Sequence, residues 1–184
     1  MSPRKLLFAA LLGTATLGLS ACATMARGPV GNAAVPQPAK PVEITRYLGL
    51  WHEFARYENG FEKDCEAVTA TYSQRDDGMI AVRNSCRKGG INGAEKIANG
   101  KAKIVPDSRG AKLKVSFFGP FYGDYWVLDH ADDYSWSIVG EPSGRFLWIL
   151  TRAAHPDPAQ AKALMQRARA LGYDEQLIRL TRQS

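Results

Sequence analysis

The sequence of 184 residues is poor in the side chains that nucleophilic or metal-dependent enzymes need. Its three histidines, His52, His130 and His155, lie far apart, and no cysteine or histidine spacing is typical of a metal site. No Gly-x-Ser-x-Gly motif marks an activated serine. We therefore expect exposed histidines, no metal site, no cofactor and no enzymatic activity.

The charge pattern also argues against a nucleic-acid partner. Lysine and arginine exceed aspartate and glutamate by six, and the pI is 9.3. The basic residues are scattered along the chain, whereas nucleic-acid binders concentrate them on one face. We expect at most a weak attraction to anionic lipid headgroups.

The longest apolar run lies at the N-terminus, where residues 6–19 follow Arg4 and Lys5. A membrane-spanning helix needs about twenty apolar residues, so this shorter run is typical of a secretory signal peptide. It ends in Leu19-Ser20-Ala21-Cys22, which resembles a bacterial lipobox. The resemblance implies a signal peptide over residues 1–21 and a lipid anchor on Cys22; an ordinary signal peptide with a chance cysteine is the alternative.

The residues after the anchor predict a location and a tether. Ala23 follows Cys22, where an aspartate would resemble an inner-membrane retention signal, so we expect an outer-membrane protein that faces the periplasm. Up to Pro41 the chain is rich in alanine, glycine and proline and has little apolar surface to bury. We predict a flexible tether over residues 22–43 and one folded domain over residues 44–184.

Export out of the cytoplasm suggests a role for each of the three cysteines. With Cys22 lipidated, Cys65 and Cys86 are an even pair in an oxidising compartment, and we predict a disulfide between them. Two free buried thiols are the alternative. Loop-closure entropy makes the bond worth about 3 kcal/mol.

Beyond Pro41, short segments of alternating apolar and polar residues are separated by turn residues, which predicts an antiparallel sandwich or barrel. Lys112 and Lys114 alternate with Leu113, Val115 and Phe117, so one face of that strand is wet. Eight strands are predicted, at Trp51–Glu58, Ala67–Ser73, Met79–Arg87, Ile97–Ile104, Lys112–Phe117, Asp124–Asp129, Ser135–Gly140 and Phe146–Thr151.

One amphipathic helix should follow the strands. It begins at Pro158 after the N-cap residue Asp157 and ends near Leu171, before Gly172. We expect its apolar stripe to pack outside the sheet rather than on a membrane. Residues 177–180 predict a short ninth strand.

Three segments in the expected order resemble the lipocalin family: Tyr47-Leu48-Gly49-Leu50-Trp51, Gly123-Asp124-Tyr125 and Trp148-Ile149-Leu150-Thr151-Arg152. The resemblance is to the bacterial outer-membrane lipoprotein branch, related to apolipoprotein D. It implies an all-β fold, an eight-stranded antiparallel up-and-down barrel with the helix outside. It also implies that Gly49, Trp51 and Arg152 close one end, where the arginine crosses the tryptophan. Gly123 departs from the threonine of many lipocalins, and the cysteine pair is not general to the family.

The resemblance implies a carrier of an apolar ligand, a fatty acid or a lysophospholipid, within the barrel. If Trp51 points inward, alternation places Glu53, Ala55 and Tyr57 on the same face. The predicted ligand-binding residues are Tyr57, Val82, Val115, Phe117, Tyr125, Val127, Trp136, Ile138 and Trp148. A structural envelope lipoprotein with a filled barrel and, less favoured, a lipid-modifying enzyme are the alternatives, and the sequence leaves a homodimer open.

Overall fold

The computed structural model describes residues 28–184. The predicted signal peptide and Cys22 lie outside the described residues. Among residues 28–184, no helix has both the length and the apolar character that crossing a bilayer would require.

The described chain forms a closed antiparallel barrel. Its strands are β1 (Gly49–Tyr57), β2 (Cys65–Gln74), β3 (Ile80–Lys88), β4 (Ala94–Ile104), β5 (Lys112–Phe118), β6 (Phe121–His130), β7 (Trp136–Gly140) and β8 (Leu147–Thr151). Each strand pairs with the next, and β1 pairs with both β8 and β2, which closes the ring. All eight predicted strands are confirmed. The largest differences are at the starts of β4 and β6, which begin three residues before the predicted Ile97 and Asp124.

Three shorter elements complete the fold. Helix α1 (Ile44–Tyr47) precedes β1, and helix α2 (Pro158–Ala170) follows β8. The Asp157 carboxylate accepts a hydrogen bond from the Gln160 amide at 2.9 Å, and Gly172 adopts a φ of 94°, so both predicted helix ends are confirmed. After a 3₁₀ turn, β9 (Ile178–Leu180) pairs with Ala55–Tyr57 of β1, as a ninth strand outside the ring.

The predicted flexible tether is wrong for residues 28–43. These residues form no strand, but they lie against the barrel from one end to the other. The Gly31 amide donates to the Gly144 carbonyl at 3.0 Å, and buried Asn32 donates to the Leu171 carbonyl at 2.9 Å. Farther along, the Val42 amide donates to the Arg109 carbonyl at 2.9 Å. Backbone hydrogen bonds order a segment whose composition lacks the apolar side chains that sequence reasoning looks for.

Apolar side chains form two main clusters separated by the barrel wall. The inner cluster surrounds Trp51 and includes Val82, Leu113, Val127 and Leu150. The outer cluster lies between the wall and α2, where Leu164 and Ala168 of the helix meet Leu128, Ile138 and Ile149. The prediction that the helix stripe packs on the barrel is confirmed.

The Cys65–Cys86 disulfide is present, as predicted, and links the first residue of β2 to β3 near one end of the barrel. That end also carries loop 58–64 and the connections at residues 89–93, 119–120 and 141–146, because the odd-numbered strands β1, β3, β5 and β7 all run toward it. We call it the open end. The closed end carries α1 and the connections at residues 75–79, 105–111 and 131–135.

Candidate functional site

The closed end is sealed by Trp51 and Arg152, as the sequence predicts. The guanidinium carbon of Arg152 lies 3.7 Å from the centre of the Trp51 ring. The Trp51 Nε1 donates to the Tyr47 carbonyl at 2.8 Å, which ties the indole to α1. Gly49 begins β1 with a φ of 95°, a conformation that favours glycine. This end is therefore a packed floor.

Above this floor, three tyrosine hydroxyls form a hydrogen-bond network that sequence reasoning missed. The Tyr125 hydroxyl lies 2.9 Å from the hydroxyls of both Tyr47 and Tyr72, and Tyr47 also contacts Ser137 Oγ at 3.1 Å. Burial raises the pKa of Tyr47 to about 12 and the pKa values of Tyr72 and Tyr125 further. The three phenols stay neutral and hydrogen-bond to one another, so they add no charge to the interior above Trp51.

The upper wall of the interior is apolar and partly accessible. Four side chains pack against the inner cluster yet keep exposed surface: Val115, Phe117, Tyr125 and Trp148. A side chain that points into a closed barrel can be exposed to solvent only through space inside the barrel or at its opening. This arrangement suits one apolar ligand, which would enter at the open end.

Six of the nine predicted ligand-binding residues lie in or against the inner cluster: Val82, Val115, Phe117, Tyr125, Val127 and Trp148. Val82 and Val127 are buried deep in it, whereas the other four are the partly accessible wall. The prediction of an inward face is correct for these positions.

The placement of Tyr57, Trp136 and Ile138 is wrong, because all three belong to the outer cluster beneath α2. In β1, the pairing with β8 shifts between Glu53 and Ala55, and this bulge turns Ala55 and Tyr57 outward. In β7, alternation correctly groups Trp136 with Ile138, but Ser137 and Val139 are the residues that face inward. The helix buries the outer face of β7, so hydrophobicity does not identify its inner face.

A charged cluster, defined by Glu53, Arg56 and Glu62, lies toward the open end. Arg56 Nη1 donates to Glu53 Oε1 at 2.7 Å, and both side chains are buried. Glu62, from loop 58–64, accepts a hydrogen bond from Trp148 Nε1 at 2.9 Å. Burial, followed by the charge of Glu62, raises the pKa of Glu53 to about 8 despite the neighbouring arginine. Of this cluster, the sequence pointed only to Glu53, since the bulge that turns Arg56 inward has no signature.

The three histidines differ in their exposure to solvent. His130 is buried, contrary to prediction, because its ring nitrogens contact the carbonyls of Ala131 at 2.7 Å and Pro41 at 3.0 Å. His155 is exposed, as predicted. Within residues 28–184, no group of three or more histidine, cysteine, aspartate or glutamate side chains is placed to hold a metal ion.

A groove of about 620 Å³ runs along the outer surface beside α2, between Trp136, Leu164 and Arg167. It lies on the far side of the barrel wall from the inner cluster. Its lining includes two exposed polar side chains of the helix, Gln166 and Arg167. The barrel interior is therefore the better candidate for an apolar ligand.

Comparisons with known proteins agree with this architecture. The lipocalin-like domain family matches residues 42–183. Outer membrane lipoprotein Blc of Vibrio cholerae is 36% identical over 154 residues, which cover 83% of this chain and 90% of the relative. Apolipoprotein D of Mus musculus is 29% identical, with 84% of each chain covered. Among solved structures, insecticyanin from the tobacco hornworm superposes with a TM-score of 0.66 at 21% identity, covering 84% of this chain and 87% of that one.

Proposed function

Because this chain belongs to the lipocalin family, we propose that it is a lipid-anchored carrier that holds one fatty acid or lysophospholipid in its barrel. The observation that carries the proposal is the apolar, partly accessible wall of Val115, Phe117, Tyr125 and Trp148 above a sealed floor. The residues of this wall are aromatic or aliphatic, which suits an apolar ligand.

The energy of transfer favours such a ligand. Burying an acyl chain of about sixteen carbons at about 0.8 kcal/mol per methylene gives a gross term above about 10 kcal/mol, before the costs of ordering and association. Micromolar or tighter binding therefore needs no specific polar contact with the chain. The polar headgroup would lie at the open end, near the charged cluster.

The lipid anchor supplies the location. Relatives named outer membrane lipoprotein support an outer-membrane site for this chain, and Leu19-Ser20-Ala21-Cys22 supplies the acceptor cysteine. In our proposal the barrel faces the periplasm and collects lipid from the membrane that holds it, for storage or transport. Mass spectrometry of the protein isolated from membranes should show cleavage after Ala21 and acyl chains on Cys22; an unmodified Cys22 would contradict the anchor.

Ligand binding is tested by displacement of a fluorescent fatty acid with palmitate and with lysophosphatidylethanolamine. The Val115→Trp variant places a large side chain on the inner wall and should weaken binding at least about ten-fold. Ile97→Trp is the matched control, since Ile97 is exposed and outside the inner cluster. Thermal melts establish that both variants are folded.

The outcome also separates the alternatives. Displaceable binding that Val115→Trp weakens supports a carrier. Binding to neither lipid by the folded parent protein would overturn the proposal and favour a structural lipoprotein with a filled barrel. Conversion of the added lipid to a new product would favour an enzyme.

A further inference from the structure

The open end carries a rim of exposed aromatic side chains. Phe61 in loop 58–64 is 61% exposed, and Phe118 and Phe121, which flank the β5–β6 turn, are 82% and 78% exposed. These are the three most exposed large apolar side chains of the described residues, and they share one end of the barrel. A single exposed phenylalanine needs no explanation, but three around one opening form an apolar rim.

The closed end differs in chemistry. Its connections expose charged side chains: Asp76 and Asp77 after β2, Asp107 and Arg109 after β4, and Asp132 and Asp133 after β6. Leu50 and Ile104 near this end are isolated and about half exposed. The apolar rim therefore gives the barrel one end suited to a membrane surface and one end suited to water.

The N-terminal segment begins beside this rim. Arg145 Nη1 in connection 141–146 donates to the Gly28 carbonyl at 2.6 Å, and the Gly31 amide donates to the Gly144 carbonyl at 3.0 Å. The chain then runs to the closed end, where Lys40 Nζ donates to the His130 carbonyl at 3.1 Å. The described chain thus starts at the open end and is held there.

The distance from Gly28 to the anchor fixes which end lies near the membrane. Cys22 precedes Gly28 by six residues, which span at most about 20 Å when fully extended. A nine-residue strand such as β1 is about 30 Å long. A lipid on Cys22 therefore attaches nearer to the open end than to the closed end.

We infer that the open rim docks on the bilayer that carries the anchor, with Phe61, Phe118 and Phe121 inserted among the lipid headgroups and upper acyl chains. The inference rests on the proposed function for its anchor and its ligand. Lipid then passes between bilayer and barrel without crossing water. Exposed side chains of both signs lie near this end, with Lys63, Lys88 and Lys96 balanced by Glu58, Asp64 and Glu95, so insertion depends on apolar contact and varies little with salt or with the content of anionic lipid.

Depth-dependent quenching tests the docking without any ligand. The lipidated full-length protein is reconstituted in phosphatidylethanolamine and phosphatidylglycerol vesicles that contain brominated acyl chains. Phe121→Trp should add fluorescence that these chains quench, relative to the parent protein with its native tryptophans. Ile104→Trp, at the exposed closed-end position, should add fluorescence that they do not quench. Equal quenching at both positions would overturn the inference.

Loading kinetics test what docking does. A Phe118→Ser, Phe121→Ser double variant should take up a fluorescent fatty acid from its own bilayer at least about ten-fold more slowly, since each phenylalanine contributes about that factor to insertion. Ile104→Ser should keep the parent rate, and both variants should bind water-dispersed probe with parent affinity. Parent-like loading by the double variant would overturn the inference.

The two tests separate the proposals. If the parent protein binds no fatty acid in water or in vesicles, the carrier function fails, while the quenching experiment still decides whether the rim inserts. If unmodified Cys22 shows that the anchor is missing, the same experiment with added vesicles reports docking by the rim alone.

Discussion

Arg152 stacks on the Trp51 ring and also donates hydrogen bonds to the backbone of residues 46–50, which lead into β1. Its guanidinium group lies over the indole, 3.7 Å from the ring centre to the guanidinium carbon, and donates to the carbonyls of Leu50 at 2.6 Å and of Arg46 and Leu48 at 2.9 Å. One planar side chain thus fastens the end of β8 to α1 and the start of β1.

Arg152→Lys should therefore lower the free energy of unfolding by about 2–3 kcal/mol. The planar guanidinium group donates to several carbonyls at once while it stacks on the indole, and the compact ammonium group of lysine cannot do both. Urea denaturation measures the loss. Arg145→Lys is the control, since its contact with the Gly28 carbonyl is a single hydrogen bond. Equal losses in the two variants would contradict a special role for Arg152.

Glu53 should make the protein less stable as the pH rises. Its pKa is raised from 4.5 to about 8 in the fold, so between these values the folded state holds a proton that the unfolded chain has lost. The free energy of unfolding then decreases with increasing pH across this window. Glu53→Gln should flatten the decrease, as measured by urea denaturation at several pH values.

Glu95→Gln is the control for this titration. The hydrogen bond from Ser85 holds the pKa of the exposed Glu95 below its ordinary value, so its charge does not change in the window where Glu53 titrates. The slope of stability with pH should match that of the parent protein. A Glu53→Gln variant with an unchanged slope would show that another group controls the pH dependence.

Tyr125→Phe should lower the free energy of unfolding by about 1–3 kcal/mol, because it leaves the Tyr47 and Tyr72 hydroxyls short of a partner in the interior. Tyr122→Phe, at a partly exposed position three residues away, should be nearly neutral. Thermal and urea denaturation of both variants measure the difference. A neutral Tyr125→Phe would mean that water replaces the missing hydroxyl.

Substitutions on the two faces of the barrel wall should separate stability from binding. Ile138→Ala removes a fully buried side chain beneath α2 and should cost about 2–5 kcal/mol while leaving the affinity for fatty acid unchanged. Trp148→Ala, on the inner wall, should lower that affinity. Fluorescence titration of both folded variants decides this, and weakened binding by Ile138→Ala would contradict the assignment of faces.

Removing the disulfide should cost about 3 kcal/mol on loop-closure grounds, given the 21 positions between Cys65 and Cys86. A Cys65→Ser, Cys86→Ser double variant should unfold at lower urea concentration than the oxidised parent. Reductant should destabilise the parent and leave the double variant unchanged. If reductant did not shift the parent transition, the bond would contribute nothing to stability.

Much of the barrel could be predicted from patterns among residues that are close together in the sequence. Alternation in β5 placed Leu113, Val115 and Phe117 on one face, and the structure puts them inward while the lysines between them face out. Asp157, Pro158 and Gly172 fixed the ends of α2 through capping preferences that depend only on neighbouring residues. Trp51 and Arg152 were paired by resemblance, and their contact has the expected form.

The errors share a physical cause, which is that alternation groups residues without saying which group faces in. Trp136 and Ile138 lie on the outer face of β7, which α2 covers. Both faces of this strand are therefore buried, and apolar side chains do not show which one faces in. At Tyr57 one extra residue in β1 reverses the alternation, and no residue in Glu53-Phe54-Ala55 marks a bulge. Arg56 and Glu62 were missed because the buried hydrogen bond from Arg56 to Glu53 depends on that reversal, and the position of Glu62 depends on a loop folded against Trp148.

The sequence by itself determined the number and order of strands, the cysteine pair, the capped helix and the residues that close the barrel. The strands and the helix caps depend on residues close together in the chain. The cysteine pair followed from the number of cysteines, and the residues that close the barrel followed from the resemblance to lipocalins. The tertiary structure alone decided which face of β1 and β7 lies inside, which charges are buried, and that residues 28–43 lie along the wall with their first residue beside the rim. These features arise where distant segments meet, because only those contacts fix a bulge, a helix-covered face or the path of a segment without regular structure.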